Sequence, residues 1–163
     1  MFRRVALEVP ELGLTFEQFR KVDERYRRAH PRYVVWHART VKEVLEKRTL
    51  RNAFGRQRIF LGTDYEVEKE GLNFPIQSTA ADIINMATIA FYARRNEAGL
   101  KAKLIGQVHD SLLLEVPKSE KKKVIALLRQ CMEQEYCINN HKVTFPVDIK
   151  VGNSWGEVKE MKR

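Results

Sequence analysis

Three short segments of the 163-residue chain stand out for side chains that could bind metal ions or phosphates, namely residues 54–58, 73–84 and 107–116. In the first segment, Arg56 and Arg58 follow a glycine. A glycine lets another backbone approach closely, so two arginines beside it suit contact with phosphate groups. The same residues are also typical of a solvated surface turn, and residue types alone do not separate these two interpretations.

The predicted turn of the third segment contains one carboxylate, Asp110. Residues 103–108 and 112–116 are short apolar runs typical of strands, and His109, Asp110 and Ser111 form the turn of a predicted β-hairpin between them. A tight turn holds a carboxylate rigidly, and carboxylate oxygens are the ligands that Mg²⁺ prefers. An aspartate that caps its own turn is the other interpretation, and residue types alone favour it.

The second segment carries two side-chain amides, Asn73 and Gln77, in an otherwise apolar stretch. They lie at the predicted entry to a long helix that Ser78 caps. Amides in such a place commonly cap the helix or hydrogen-bond the turn around Pro75.

Capping and periodicity predict the elements that hold these segments. A capping box at Thr15 and Gln18 predicts a helix that stops near His30, and Pro31 opens a second helix that ends near Thr49. The remaining predictions are an irregular stretch over residues 51–75, the helix from Ser78 to about Glu97, a helix from Ser119, and a half-buried strand over residues 143–151.

This order of elements predicts an α+β fold, in which the hairpin and one further strand form an antiparallel or mixed sheet with helices on one face. The composition is that of an ordinary globular chain, with 44% hydrophobic and 31% charged residues. It excludes a wholly disordered or collagen-like protein. The two cysteines do not form a disulfide framework or a zinc motif.

Positive charge is concentrated in one part of the chain. Residues 1–60 carry a net charge of +8 and residues 61–163 a net charge of +1, within a total of +9. A basic region of this kind favours a polyanionic partner, most simply nucleic acid. A solvated basic surface is equally compatible with the charge alone.

Read together, the three segments resemble the C-terminal part of family A DNA polymerases, the bacterial DNA polymerase I family. The matching motifs are Phe54-Gly55-Arg56-Gln57-Arg58, the stretch from Asn73 to Ile84, and Gln107-Val108-His109-Asp110-Ser111. Val151-Gly152-Asn153-Ser154-Trp155 is similar to the end of the family's last palm strand. The resemblance implies helices packed on one face of a small antiparallel palm sheet.

The resemblance also implies roles for the residues of the predicted turn. Asp110 corresponds to a catalytic carboxylate that binds Mg²⁺ in a two-metal site. His109 corresponds to a residue that positions the primer terminus. Ser111, also near the primer terminus, departs from the family, because most members carry Glu there.

Further residues correspond to the family's DNA contacts. Asn73 and Gln77 match residues that face the minor groove, where correct base pairs present acceptors at similar places. Arg56 and Arg58 match residues beside the template backbone. Lys69 matches a position near the template strand that is usually Arg, so the charge is kept and the bidentate fork is lost.

Two upstream motifs of the family do not occur in these 163 residues: a palm strand of the type Asp-Tyr-Ser-x-x-Glu, and the nucleotide-binding fingers helix. Asp64-Tyr65-Glu66 lies in the wrong place to be the first of them and lacks its Ser. We therefore expect residues 1–60 to be late fingers helices, residues 61–163 to be the C-terminal palm segment, and the chain to be a natural split subunit or a fragment.

The expected function is part of a DNA-directed DNA polymerase that is incomplete alone. The expected partners are primer-template DNA, a deoxynucleotide triphosphate and a polypeptide that carries the remaining motifs, with no membrane. The expected location is the cytoplasm of a bacterial cell or of a phage-infected host. The alternative is a non-catalytic, palm-derived DNA-binding or scaffold module. Ser111 and the missing motifs favour it slightly, whereas Asp110, Asn73 and Gln77 together favour a polymerase part.

Overall fold

The computed structural model describes Gly13 and residues 15–161. The helices are α1 (Phe16–Ala29), α2 (Pro31–Lys47), α3 (Asp64–Glu97) and α4 (Lys121–Met132), with short 3₁₀ turns at Lys118–Glu120 and Trp155–Glu157. The strands are β1 (Thr49–Arg51), β2 (Gln57–Ile59), β3 (Lys103–Val108), β4 (Ser111–Glu115), β5 (Tyr136–Ile138), β6 (His141–Val143), β7 (Lys150–Val151) and β8 (Lys159–Glu160). Among the described residues, no helix has the length and apolar character needed to cross a membrane.

The chain forms two compact units. Of the described residues, the first unit contains those up to Leu50 and Ile59–Leu72, and the second contains Arg51–Arg58 and those from Asn73 to Met161. The α+β class is confirmed, because helices and antiparallel strand pairs both occur.

The first two helices begin and end as their sequence predicts. The capping box is formed: the backbone N–H of Gln18 donates to Thr15 Oγ1 at 3.2 Å, and that of Thr15 donates to Gln18 Oε1 at 2.8 Å. Pro31 occupies the first turn of α2, where a missing N–H costs no helical hydrogen bond. Arg48 ends α2 in the left-handed conformation.

A close approach between α2 and α3 builds the first unit's core. Val44 on α2 is fully buried, and so are Phe60 and Val67. A Cβ added at Gly71 on α3 would lie 2.8 Å from Val44 Cγ1, which is well inside van der Waals contact. Glycine at this position therefore serves packing and does not break the helix.

The prediction that residues 51–75 are irregular was wrong, and so was the helix start at Ser78. Strands β1 and β2 pair within this stretch, and α3 begins at Asp64. The missed signal is a second capping box, in which Thr63 N donates to Glu66 Oε2 at 3.0 Å and Glu66 N donates to Thr63 Oγ1 at 3.5 Å.

Proline inside α3 explains the error. Pro75 lies in the helix interior, and the Ser78 and Thr79 hydroxyls donate to the carbonyls of Phe74 and Pro75, each at 2.6 Å. The backbone carbonyls of the proline and of the residue before it therefore accept hydrogen bonds from side chains. Asn73 therefore does not lie at a helix start, and capping of such a start does not account for its polarity.

The predicted hairpin is present as β3 and β4. The strands are antiparallel, and Val108 pairs with Ser111, so the turn consists of His109 and Asp110 alone. The register shifts between Leu104 and Gly106, which marks a β-bulge on β3.

The second unit's core fixes β4 against two helices. Leu112 packs against a cluster of Ile84 and Ala87 on α3 and Met132 on α4. Leu114 packs against a neighbouring cluster formed by Phe91, Ala102, Val124 and Cys131. Alternate residues of β4 therefore anchor the hairpin to α3 and α4.

The continuous strand predicted over residues 143–151 was wrong. Its first residue ends β6, which pairs with β5, and its last residues form β7, which pairs with β8. Between them, the N–H of Val147 donates to the Glu133 carboxylate at 2.8 Å instead of to a neighbouring strand. Within the described residues, the sheet is thus four separate two-stranded pairs, and no third strand joins the hairpin.

Both cysteines are free thiols in very different surroundings. Cys131 on α4 is buried, and burial raises the pKa of its thiol. Cys137 lies exposed on β5.

Candidate functional site

The turn between β3 and β4 presents Asp110 to solvent. His109 has a φ of 53°, a left-handed conformation that is uncommon for residues other than glycine and that two-residue hairpin turns require. The Ser111 hydroxyl donates to the Val108 carbonyl at 2.9 Å, so the side-chain hydrogen bond of this turn comes from serine. No hydrogen bond or ion pair of the Asp110 carboxylate is found with the described part of the chain.

Asp110 can supply one ligand to a hard cation, because its exposed carboxylate is held on a two-residue turn. Among the described residues, no group of three or more His, Cys, Asp or Glu side chains is arranged to hold a metal ion. A metal at Asp110 would therefore take its other ligands from water, substrate or another segment.

The loop between β1 and β2 is built around a buried carboxylate that the sequence analysis assigned no role. Arg56 Nε donates to both Asp82 oxygens, at 2.9 and 3.0 Å, and Arg56 Nη2 donates to Oδ1 at 2.5 Å. Asn52 Nδ2 donates to Asp82 Oδ2 at 2.6 Å. Asp82 and Asn52 are each only 7% exposed, so this carboxylate and its amide partner are buried.

Asn52 and Thr79 complete the arrangement. The backbone N–H groups of Phe54 and Arg56 donate to Asn52 Oδ1, at 3.0 and 2.9 Å. The backbone N–H of Ala53 donates to Thr79 Oγ1 at 3.3 Å. These bonds fix the loop that carries Arg56 against the Thr79–Asp82 part of α3.

Electrostatics follow from this geometry. The Arg56 guanidinium holds the pKa of Asp82 below its ordinary value through its hydrogen bonds; burial opposes this shift, and the Asn52 amide adds to it. The hydrogen bonds to Asp82, and the charge of Asp82, raise the pKa of Arg56 above its ordinary value. Asp82 is thus an anion with a structural role, because the positive charge of Arg56 already balances its negative charge.

Sequence reasoning missed Asp82, Asn52 and Thr79 as a group. One signal was available: Asp82 stands between two alanines and two isoleucines in a helical stretch. A lone carboxylate among apolar helical residues needs a buried partner. The identity of that partner could not be read, because Asn52 lies 30 residues away along the chain.

The other predicted contacts lie on exposed surfaces. Asn73 and Gln77 are exposed and four residues apart on α3, so they share one face of that helix. Lys69 is an exposed residue of α3, and Arg58 is an exposed residue of β2. In the structure, Arg56 is hydrogen-bonded to Asp82, and Asn73 shares a helical face with Gln77. His109, Asp110 and Ser111 lie together at the hairpin turn.

Comparison with known proteins explains these motifs. Residues 9–157 match the model of DNA polymerase family A. The chain belongs to DNA polymerase family A. It is 32% identical over 157 residues to the thermostable DNA polymerase I of Thermus filiformis, and 41% identical over 92 residues to the DNA polymerase I of Bacillus caldotenax.

The similarity to this polymerase family extends to the fold. The POL domain of Pol1 from M. smegmatis, solved in complex with DNA primer-template and dNTP, superimposes with a TM-score of 0.70 at 27% identity, over 76% of this chain and 23% of that one. The Thermus filiformis alignment covers 92% of this chain and 18% of the relative, and the Bacillus caldotenax alignment covers 56% and 10%. The chain therefore spans about a fifth of the length of the curated relatives that it matches over most of its own length.

Proposed function

We propose that this chain supplies the C-terminal part of the active site of a DNA-directed DNA polymerase and is inactive without the remaining polymerase motifs. The observation that carries the proposal is the exposed Asp110 carboxylate on the two-residue turn, in a chain of DNA polymerase family A. The solved relative with DNA primer-template and dNTP supports the same substrates here.

In the proposed reaction, Asp110 would hold Mg²⁺ together with a carboxylate of another segment or chain. Two such ions would supply activation of the primer hydroxyl and stabilisation of charge on the leaving pyrophosphate. Asp110 holds its ligand position rigidly, because β4 is anchored to α3 and α4. His109 and Ser111, on either side, lie beside the primer terminus in this proposal.

Exposed polar residues of α3 and β2 hold the DNA in this proposal. Asn73 and Gln77 face the minor groove, and Arg58 and Lys69 contact the template strand. The Arg56 guanidinium is bound to Asp82, yet its side chain remains 58% exposed, which leaves surface for a phosphate. Residues 1–60 act as late fingers helices and residues 61–163 as the C-terminal palm segment.

Primer extension tests the proposed function. The purified chain should not extend a primer, and a second polypeptide carrying the upstream palm strand and the nucleotide-binding helix should restore synthesis when both are mixed. The same mixture with Asp110→Asn serves as the matched control and should be silent. Synthesis by the chain alone, or a wild-type mixture that stays silent although the two polypeptides bind one another, would overturn the proposal; the silent mixture would leave a non-catalytic DNA-binding module.

A further inference from the structure

Six exposed lysines cluster in the second unit, away from the residues discussed so far. We call them the lysine patch; its members are Lys101, Lys103, Lys118, Lys121, Lys122 and Lys123. They come from two stretches of the chain, one entering β3 and the other at the start of α4.

Glu120 joins the two stretches. Its Oε2 accepts hydrogen bonds from the backbone N–H groups of Lys101, at 2.8 Å, and Ala102, at 3.2 Å. Ala102 is fully buried in the same cluster as Val124 of α4. The start of β3 is therefore fixed beside the start of α4, which brings the two lysine-bearing stretches near one another.

The positive charge of the lysine patch is poorly matched within the described residues. Glu120 is engaged with backbone N–H groups, and Glu115 lies opposite Lys103 in the β3–β4 register. The lysines of α1 and α2 are different, because Lys21, Lys42 and Lys47 each pair with a glutamate one helical turn away.

The position of these lysines on α4 is locally unfavourable. Lys121, Lys122 and Lys123 occupy the first turn of α4, which has no acidic residue. The helix dipole favours anions at this end and disfavours cations. A bound anion would offset that cost.

The lysine patch is also distant from Asp110. Lys103 stands at the open end of the hairpin, five residues before Val108, and the turn with Asp110 is at the other end. At about 3.4 Å per residue the two ends are roughly 17 Å apart. A phosphate bound at Lys103 therefore does not also contact Asp110.

We propose that the lysine patch binds the phosphate backbone of duplex DNA, as a contact separate from the Asp110 turn. The choice of DNA over an acidic protein rests on the proposed polymerase function. Lysines act as point charges, and neither stretch (residues 101–103 and 117–123) contains an aromatic residue on which an unpaired base could stack. The contact is therefore independent of sequence and sensitive to salt.

Binding of the full-length chain to a fluorescent DNA duplex tests the proposal. The variant K121Q/K122Q/K123Q should bind several-fold more weakly, and its salt slope should fall by about 0.9 for each phosphate that the variant no longer neutralises. The control K42Q/K47Q/K142Q removes the same charge from lysines that pair with glutamates. It should change affinity less than the patch variant does, and equal losses of affinity in the two variants would overturn the proposal.

Lysine acetylation read by mass spectrometry separates this proposal from its rivals. Duplex DNA should protect Lys121, Lys122 and Lys123 from acetylation, and K121Q/K122Q/K123Q should leave the protection of other lysines in place. Protection by polyglutamate but not by DNA would overturn the choice of DNA. This outcome is independent of primer extension. If the mixture of polypeptides does not extend a primer but DNA protects the lysine patch from acetylation, only the proposed polymerase function is rejected. If the mixture extends a primer but DNA does not protect the lysine patch, only the proposed DNA contact of the patch is rejected.

Discussion

Asp82 and Asp110 are two carboxylates of the same unit with opposite surroundings. Asp82 is buried, hydrogen-bonded by Arg56 and Asn52, and its pKa is lowered. Asp110 is exposed on a two-residue turn that Ser111 and the strand pairing hold together. The difference indicates that the first carboxylate fixes a loop, while the second is left open to a ligand from outside.

The strongest test of this contrast is Asp110→Ala in the assembled polymerase. Loss of a metal-binding carboxylate removes stabilisation that develops in the transition state, so single-turnover nucleotide addition should fall by at least about 100-fold. Duplex affinity, measured separately, should stay close to wild type. A variant with the wild-type rate would make Asp110 a turn residue only.

Asp82→Ala should instead lower the stability of the fold. It removes a carboxylate acceptor of the buried Asn52 amide, and an unsatisfied buried donor costs about 1–3 kcal/mol. The free energy of unfolding from chemical denaturation should fall by that amount. Asp110→Ala is the matched control, since an exposed substitution usually changes this energy by less than about 0.5 kcal/mol. Equal losses of stability in both variants would contradict the view that Asp82 has a structural role that Asp110 lacks.

Acidification should reduce the stabilising role of Asp82. Its pKa in the folded chain lies below the ordinary value of 3.8, so its contribution to stability is present above that value and is lost as pH falls through the folded pKa. The stability difference between wild type and Asp82→Asn should therefore be constant above about pH 5 and shrink as the pH falls below the ordinary value of 3.8. A difference that is constant or grows on acidification would contradict the role of Arg56 as the cause.

Local signals in the sequence predicted the elements that depend on neighbours along the chain. The capping box at Thr15, the proline at the start of α2 and the apolar runs of the β3–β4 hairpin all lie within the elements that they specify. The hairpin's apolar pattern and the family resemblance together singled out Asp110.

Contacts between distant residues account for what the sequence analysis missed. The close packing of Gly71 in α3 depends on Val44 of α2, which is 27 residues away along the chain. The role of Asp82 depends on Asn52 and Arg56, which are 30 and 26 residues away. The alternating residues 143–151 suggested one strand because alternation does not reveal whether a partner strand lies alongside.

Arg56 in the β1–β2 loop and Arg58 in β2 offer a smaller test. Neutralising Arg56 and Arg58 together should weaken binding to DNA duplexes, and the salt slope should fall by about 0.9 for each phosphate left without its arginine. The measurement is fluorescence anisotropy at several salt concentrations, with K42Q/K47Q as the charge-matched control. If the affinity for DNA and its salt dependence stayed unchanged, a template contact for these two arginines would be rejected.

The smallest effect is expected from Ser111→Glu. It introduces the residue that most family members carry and adds negative charge beside Asp110, so the apparent affinity for Mg²⁺ should rise while the rate stays unchanged or increases slightly. The substitution also removes the hydrogen bond from the Ser111 hydroxyl to the Val108 carbonyl, so Ser111→Ala serves as the control for the turn itself. Weaker apparent Mg²⁺ binding in the glutamate variant would contradict a metal at Asp110.

The contrast between the two cysteines has a practical consequence for following this molecule by fluorescence. Only a thiolate attacks maleimides, and Cys131 is both buried and held protonated by its raised pKa. Cys137, exposed on β5, should therefore take up the dye first. The native sequence thus offers a single attachment point for a probe on the second unit, and no cysteine has to be removed by mutation before labelling.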